Sequence, residues 1–374
     1  MSRKNPSRRS RAARLSVCLA AVGLVASACG GDDDSADEPA AAEVDPTAAP
    51  IDDAATVPSE PAEEPAEPTG DSPTIRIGQI PTSGLVIGHV LDQQPEGLEL
   101  AGRDVDYSLE VTQFSGSPDI VQGIAAGTLD GGAVGATAIF PLFRQDVGVT
   151  IVGEYFEERS GYLSPSFLTR ADSGITSIED LRGRTVGINS VGSPVYWAAV
   201  GHLRAEAGLE PDEDYTVVAV PFPNMLDALD SGEIDIAPII QPWLVPALET
   251  GDYAPLFDDT DVQDPYVQSL MVFRNDFIEE HPDATAAFVD DWAAAAEFVR
   301  EPANHDAVVQ AVADATSVPA ENLGYVATEE HYYFPEQGAP NIEAIQSNWD
   351  WFYEIGGIDE QFDVNDYVIS DSQP

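Results

Sequence analysis

Nine polar side chains at predicted loop tips have the chemistry to hold a small polar solute. They are Thr82, Ser83, Ser115, Ser117 and Thr137 in the first half of the chain, and Ser190, Ser193, Asn224 and Gln241 in the second. Hydroxyls and amides both donate and accept hydrogen bonds, so such a set fits capture of a solute rather than its conversion. Trp243 and Tyr155 are candidate walls, since an aromatic face can stack on a ligand as well as pack in a core. Taken singly, a Ser or Asn ahead of a helix is most often only a cap. The set gains meaning from the elements that carry it.

The stretch 177–209 shows the arrangement most clearly. Ser177-x-x-Asp180 has the form of a capping box. Residues 185–188 (TVGI) read as a buried strand, and 189–193 (NSVGS) as a polar loop. Pro194 then occupies a first helical position with Ser193 as its cap, and Tyr196, Val200 and Leu203 recur at helical spacing. A strand, a polar loop and a helix start together aim backbone N–H groups and a partial positive charge into the loop. The first half repeats the theme. Strands are predicted over 74–78, 107–112 and 131–135. Loops at 81–84, 115–117 and 136–137 lead into helices starting near Val86, Pro118 and Ile139.

These units recur at an offset of 105 to 109 residues. Gly78 corresponds to Gly187, Tyr107 to Tyr215, Phe114 to Phe222 and Pro141 to Pro246, while 127–130 (GTLD) matches 232–235 (GEID). Order and offset are kept, which predicts two similar α/β lobes. In open α/β sheets ligands bind beyond the carboxyl ends of the strands, so the polar loops of both lobes are expected to face one cleft.

The phrase from Ser177 to Ile188, S-I-x-D-L-R-G-R-x-V-G-I, resembles the hallmark of type II periplasmic-binding-protein-like, ABC-transporter substrate-binding proteins. The S-V-G-S-P segment at 190–194 resembles the nitrate, sulfonate, taurine and thiamine-precursor group, and the likeness runs from about Thr74 to the C-terminus. It implies two three-layer α/β lobes joined by a hinge, with C-terminal helices packed on lobe one. Residues 166–169 resemble the outgoing hinge strand and 270–273 the returning one. The expected lobes are therefore 72–169 plus 269–374, with 170–268 inserted. Amphipathic helices are expected over 275–300, where 279–282 (EEHP) resembles a His-Pro helix opening, and over 341–355.

Composition narrows the function. The chain has 374 residues and 16 basic against 66 acidic groups, a net charge of −50. Nucleic acid is excluded as a partner, because phosphate binding needs a basic surface. Six of the sixteen basic residues lie in the first 28, followed by a short apolar run from Leu15 to Val25 and then 26–29 (ASAC). This is the layout of a signal peptide, and the apolar run is too short to span a membrane. The small residues before Cys29 resemble a lipobox, which implies lipidation there and anchoring to the outer face of the cytoplasmic membrane. Ser7-Arg8-Arg9 leaves the export route, general or twin-arginine, open. Residues 29–71 are rich in Ala, Pro, Asp and Glu and read as a disordered acidic tether.

Cys18 and Cys29 are the two cysteines, and the five histidines show no metal-ligand spacing, so no disulfide, metal or cofactor is expected. No G-x-S-x-G elbow and no Cys/His constellation argue for an enzyme. The resemblance implies a monomeric binding lipoprotein that delivers a small anion to an ABC permease and its ATPase, with Arg144, Arg159 and Arg274 as candidate counter-charges. Two alternatives stay open: a neutral aromatic ligand such as a pyrimidine, and a sensor that works without a transporter.

Overall fold

The computed structural model describes residues 72–328 and 331–369. The signal segment, Cys29 and the acidic tether lie outside the described residues. The first lobe opens with β1 (Thr74–Gln79), α1 (Val86–Gln93), β2 (Ser108–Gln113), α2 (Ser117–Ala125), β3 (Gly131–Gly135), α3 (Phe140–Arg144) and the long β4 (Val149–Glu158). The chain then crosses to β5 (Ser166–Arg170), β6 (Thr185–Ile188), α4 (Pro194–Ala207), β7 (Thr216–Ala219), α5 (Met225–Ser231), β8 (Ile236–Ile239), α6 (Leu244–Thr250) and β9 (Tyr253–Asp258). It returns through β10 (Tyr266–Arg274) and ends with α7 (Asn275–Glu280), α8 (Pro282–Arg300), α9 (His305–Thr316) and α10 (Ile342–Glu354).

Two five-stranded sheets result, in the orders β2-β1-β3-β10-β4 and β7-β6-β8-β5-β9. In each, the first three strands are parallel. The strand that arrives from the other lobe, β10 or β5, runs antiparallel to both its neighbours. Sheet one is covered on one side by α1, α8 and α9 around Phe288 and Trp292, and on the other by α2, α3 and α10 around Phe140, Trp349 and Phe352. Sheet two lies between α4 on one face and α5 and α6 on the other. Two three-layer α/β lobes with the C-terminal helices on lobe one are what the sequence predicts.

The crossings differ from expectation by a few residues. Thr169 pairs with Ile236 and Ala254, so 166–169 belongs to sheet two and the outgoing crossing lies ahead of it. Tyr266 already pairs with Glu158 in sheet one, which moves the return ahead of 269 as well. The predicted helix over 275–300 breaks at His281, where Pro282 opens a new helix, and α9 was not anticipated.

Sequence dictates the tight places. A Cβ on Gly132 would lie 2.7 Å from the Gly78 carbonyl and 2.8 Å from Ile120 Cγ2, so only glycine lets α2 sit this close to β3. Asp130, ahead of that strand, accepts the Arg76 backbone N–H at 2.8 Å and pairs with the Arg76 guanidinium at 2.6 Å. Asp235 repeats the device in lobe two, accepting Thr185 N–H at 2.8 Å and pairing with Arg184 at 3.2 Å. Asp130 is buried, so Asp130→Ala should strand a backbone donor and cost about 2 kcal/mol of unfolding free energy. Urea titration measures this, and a loss within experimental error would refute the role.

Candidate functional site

The loop after β1 is set from beneath. Gln79 Nε2 donates to His89 Nδ1, which leaves His89 Nε2 to donate to the Thr82 carbonyl at 2.7 Å. Burial pushes the His89 imidazole down to about 4, so the ring stays neutral and keeps that tautomer. Ser83 stands at the front of the loop. Its Oγ accepts from Tyr325 OH at 2.9 Å and donates across the cleft to the Gln241 carbonyl at 3.2 Å.

At the next loop α2 begins at Ser117, with Gly116 as its cap and Pro118 in the first turn. Ser117 Oγ accepts the Gly135 N–H at 3.1 Å, tying the helix start to the end of β3. In lobe two Ser193 is the cap predicted for α4. It accepts the Tyr196 N–H at 3.3 Å and donates to Asn189 Oδ1 at 2.8 Å. The reciprocal bond at Ser177–Asp180 is also present, with Ser177 N–H donating to Asp180 at 3.0 Å.

These loops meet around two connected hollows between the sheets. The inner chamber, about 90 Å³, is lined by Thr82, Ser83, Ser117, Asn189 and Ser193, with Phe156, Phe222 and Tyr332 as aromatic walls. The outer chamber, about 490 Å³, shares Thr82, Ser83, Asn189 and Phe222 and adds Ser115, Gln241 and Trp243. Seven of the eleven residues singled out from sequence thus line one chamber or both.

Four do not. Tyr155 is fully buried in lobe one, edge-on to Trp292 at 4.7 Å, because its position in β4 points it beneath α8 instead of into the cleft. Thr137 is buried on a separate hollow beside Phe140 and Trp197. Asn224 is exposed at the end of a short turn, and Ser190 lies against Gly116 at the lobe–lobe contact without lining either chamber.

The three arginines considered as counter-charges are engaged elsewhere. Arg144 pairs with Asp359 at 2.9 Å, and Arg274 with Asp276. Arg159 pairs with Glu157 and lies over the Tyr333 ring at 3.9 Å. Among the described residues that line either chamber there is no Lys, Arg or His. Sequence reasoning missed Asn189, Phe222, Gln268, Ser269 and above all Glu158, a buried acid at the back of the inner chamber. Asn189 and Phe222 stood in loops already identified. The other three sit on β4 and β10, whose cleft-facing ends have no loop signature.

Residues 103–305, more than half of the chain, match the family described as "NMT1/THI5 like". The chain belongs to that family. This NMT1/THI5-like protein is 24% identical over 296 residues to a Bacillus subtilis (strain 168) protein named "Putative aliphatic sulfonates-binding protein", across 79% of this chain and 85% of the relative. Its fold is that of the alkanesulfonate-binding protein SsuA from Xanthomonas axonopodis pv. citri, solved bound to MOPS. The TM-score is 0.60 at 19% identity, covering 82% of this chain and 99% of that one. It is also that of the nitrate-binding protein NrtA from Synechocystis PCC 6803, with a TM-score of 0.65 at 13% identity over 80% and 86% of the two chains. Each of these three matches carries a name that describes binding.

Proposed function

We propose that this protein is the solute-binding lipoprotein of an ABC importer. It captures a small organic or inorganic anion of the sulfonate, taurine or nitrate class between its lobes and delivers it to a membrane permease with its ATPase. One observation carries the reading. The starts of α2 and α4, from opposite sheets, open into the same chamber at Ser117 and Ser193. Free N–H groups and the dipoles of two helices can hold an anion without any lysine or arginine. Closure by hinge motion at the two crossings would bury the solute, and the closed form would dock on the permease. Export, a lipid anchor on Cys29 and a monomeric state complete the proposal, and retention of a Cys29→Ser variant on membranes would sink the anchor.

Thermal unfolding with alkanesulfonates, taurine, nitrate and pyrimidines tests the ligand class. A bound solute at a hundredfold excess over its Kd stabilises the protein by about 2.7 kcal/mol. Stabilisation by at least one anion is the expected result, and none by any of them overturns it. A shift with pyrimidines alone would favour the second reading, a neutral aromatic ligand, which the rings of Phe156, Phe222, Tyr332 and Trp243 around the chambers support.

A further inference from the structure

Where the chain crosses between the lobes, a buried acid from each lobe meets the other. Glu158 ends β4 and pairs in register with Tyr266 in sheet one, whereas Asp259 directly follows β9 of sheet two. Both carboxyls are fully buried. One chain of hydrogen bonds joins them to the outgoing and returning segments. Ser164 Oγ donates to Glu158 Oε2 at 2.8 Å, and Gln268 Nε2 donates to Asp259 Oδ2 at 2.7 Å. Between them, protonated Glu158 donates through Oε1 to Asp259 Oδ1. The other titratable groups that act on the pair are the carboxylate of Asp258 and the phenols of Tyr266 and Tyr332, and burial keeps both phenols uncharged. His331, against the Tyr332 ring, is kept neutral by burial, and Arg159, next along the chain, is turned to Glu157. Two adjacent buried carboxyls cannot both ionise, so burial first and Asp259 second hold the Glu158 proton well above the usual carboxylate range. Glu154 also stays protonated, but its partners Glu157 and Asn341 belong to lobe one, so lobe motion leaves it alone. The Glu158–Asp259 pair, by contrast, ties one lobe to the other.

We infer that the Glu158–Asp259 pair is a proton-held latch across the hinge, so that closing on a solute takes up a proton and alkaline solution weakens the grip. This rests on the reading that solute capture closes the lobes. Rotation about the crossings draws Asp259 away from Glu158 and admits water, in which each carboxyl ionises near about pH 4 to 4.5. Closure expels that water. One carboxylate then takes a proton from the buffer and donates it to the other, and the proton gained by the protein is the proton lost by the buffer. The latch is at full strength below about pH 4, where both forms carry the proton, and it weakens as pH rises until the closed pair itself ionises. Within that window affinity falls by at most about tenfold per pH unit.

Nitrate and 1-propanesulfonate keep a fixed charge between pH 6 and 8, so any proton exchanged on binding belongs to the protein. Calorimetric titration of the purified protein with each, in buffers of different ionisation heat, reads affinity and protons together. For a probe that binds, uptake of about 0.5–1 proton per site is expected, with affinity at least about 10-fold lower at pH 8 than at pH 6. Glu158→Gln keeps the chain of bonds, since an amide can accept from Ser164 and donate to Asp259, but it has no proton to exchange. Asp259→Asn does the same from the other side. Each variant should bind without proton uptake and with less than about 2-fold change in affinity from pH 6 to 8, whatever its affinity at pH 6. Equal affinities at the two pH values without uptake by the unaltered protein, or a pH dependence that survives both substitutions, overturn the latch while leaving the anion site standing. Binding of neither probe overturns the anion reading and the latch with it. The comparison of pH values on the unaltered protein needs no variant to fold.

Discussion

Replacing Gly135 with alanine should weaken solute binding by roughly 10- to 100-fold while leaving both lobes folded. Gly135 ends β3 in lobe one, and a Cβ built there would lie 2.3 Å from Pro194 Cγ and 2.7 Å from its Cδ. Pro194 opens α4 in lobe two, its ring is rigid, and its carbonyl accepts from Tyr266 OH at 3.0 Å, so it has little room to give way. The added methyl therefore meets the opposite lobe and nothing in its own as closely. Overpacking of this kind costs about 1–3 kcal/mol, and here the cost falls on the arrangement in which the lobes touch. Affinity then drops by the fraction of molecules still able to close. Titration with the best-binding anion measures the loss, and small-angle scattering should show a larger radius. Unaltered affinity would mean that closure does not bring Gly135 against Pro194.

Much of this architecture is legible in the chain because the repeat carries specific backbone chemistry. Asp104 and Asp212 both adopt left-handed conformations, with φ of 63° and 65°. Their N–H groups reach the carbonyls of Tyr107 and Tyr215 at 2.7 and 2.8 Å, so the paired tyrosines mark one turn built twice. Gly127 and Gly232 likewise follow helices at φ of 71° and 74°. The seven recognised chamber residues share a cause: each lies in or beside a loop between a strand and a helix, where a polar residue shows against apolar neighbours. Glu158 lacked that contrast. In the run 157–160 (EERS) it reads as a solvated charge, and only the return of the chain from β9 to β10 sets Asp259 and Gln268 against it. Tyr155 failed for the converse reason, since nothing local separates an aromatic at a cleft from one under a helix. Long-range pairing decides both, and periodicity does not encode it.

Stability should fall as pH rises from about 6.5 to 8, the reverse of the usual effect of paired surface carboxylates. Glu154 is held protonated by burial and by the adjacent Glu157, and burial also raises Glu158 and Asp259. The unfolded chain releases these protons near pH 4 to 4.5, so above that range the native state binds more protons and each further rise in pH favours unfolding. The loss is about 1.4 kcal/mol per pH unit for each proton retained. Two histidines oppose this on the acid side. Burial lowers His89 to about 4 and His331 to about 3, whereas the unfolded chain takes up those protons below about 6.5. Their stabilisation is complete above 6.5 and is lost as pH falls through that range, which flattens the profile between about 4.5 and 6.5. His331 allows the opposition to be removed. Both its ring nitrogens are unpartnered and it packs among Tyr325, Tyr332 and Phe334, so an apolar ring can replace it. Relative to the unaltered protein, His331→Phe should be better off at pH 5 than at pH 8 by about 2 kcal/mol, whatever its packing does at both. Urea unfolding at pH 5, 6, 7 and 8 reads the two profiles, and stability that climbs steadily from pH 6.5 to 8 would show that the buried acids ionise freely in the folded protein.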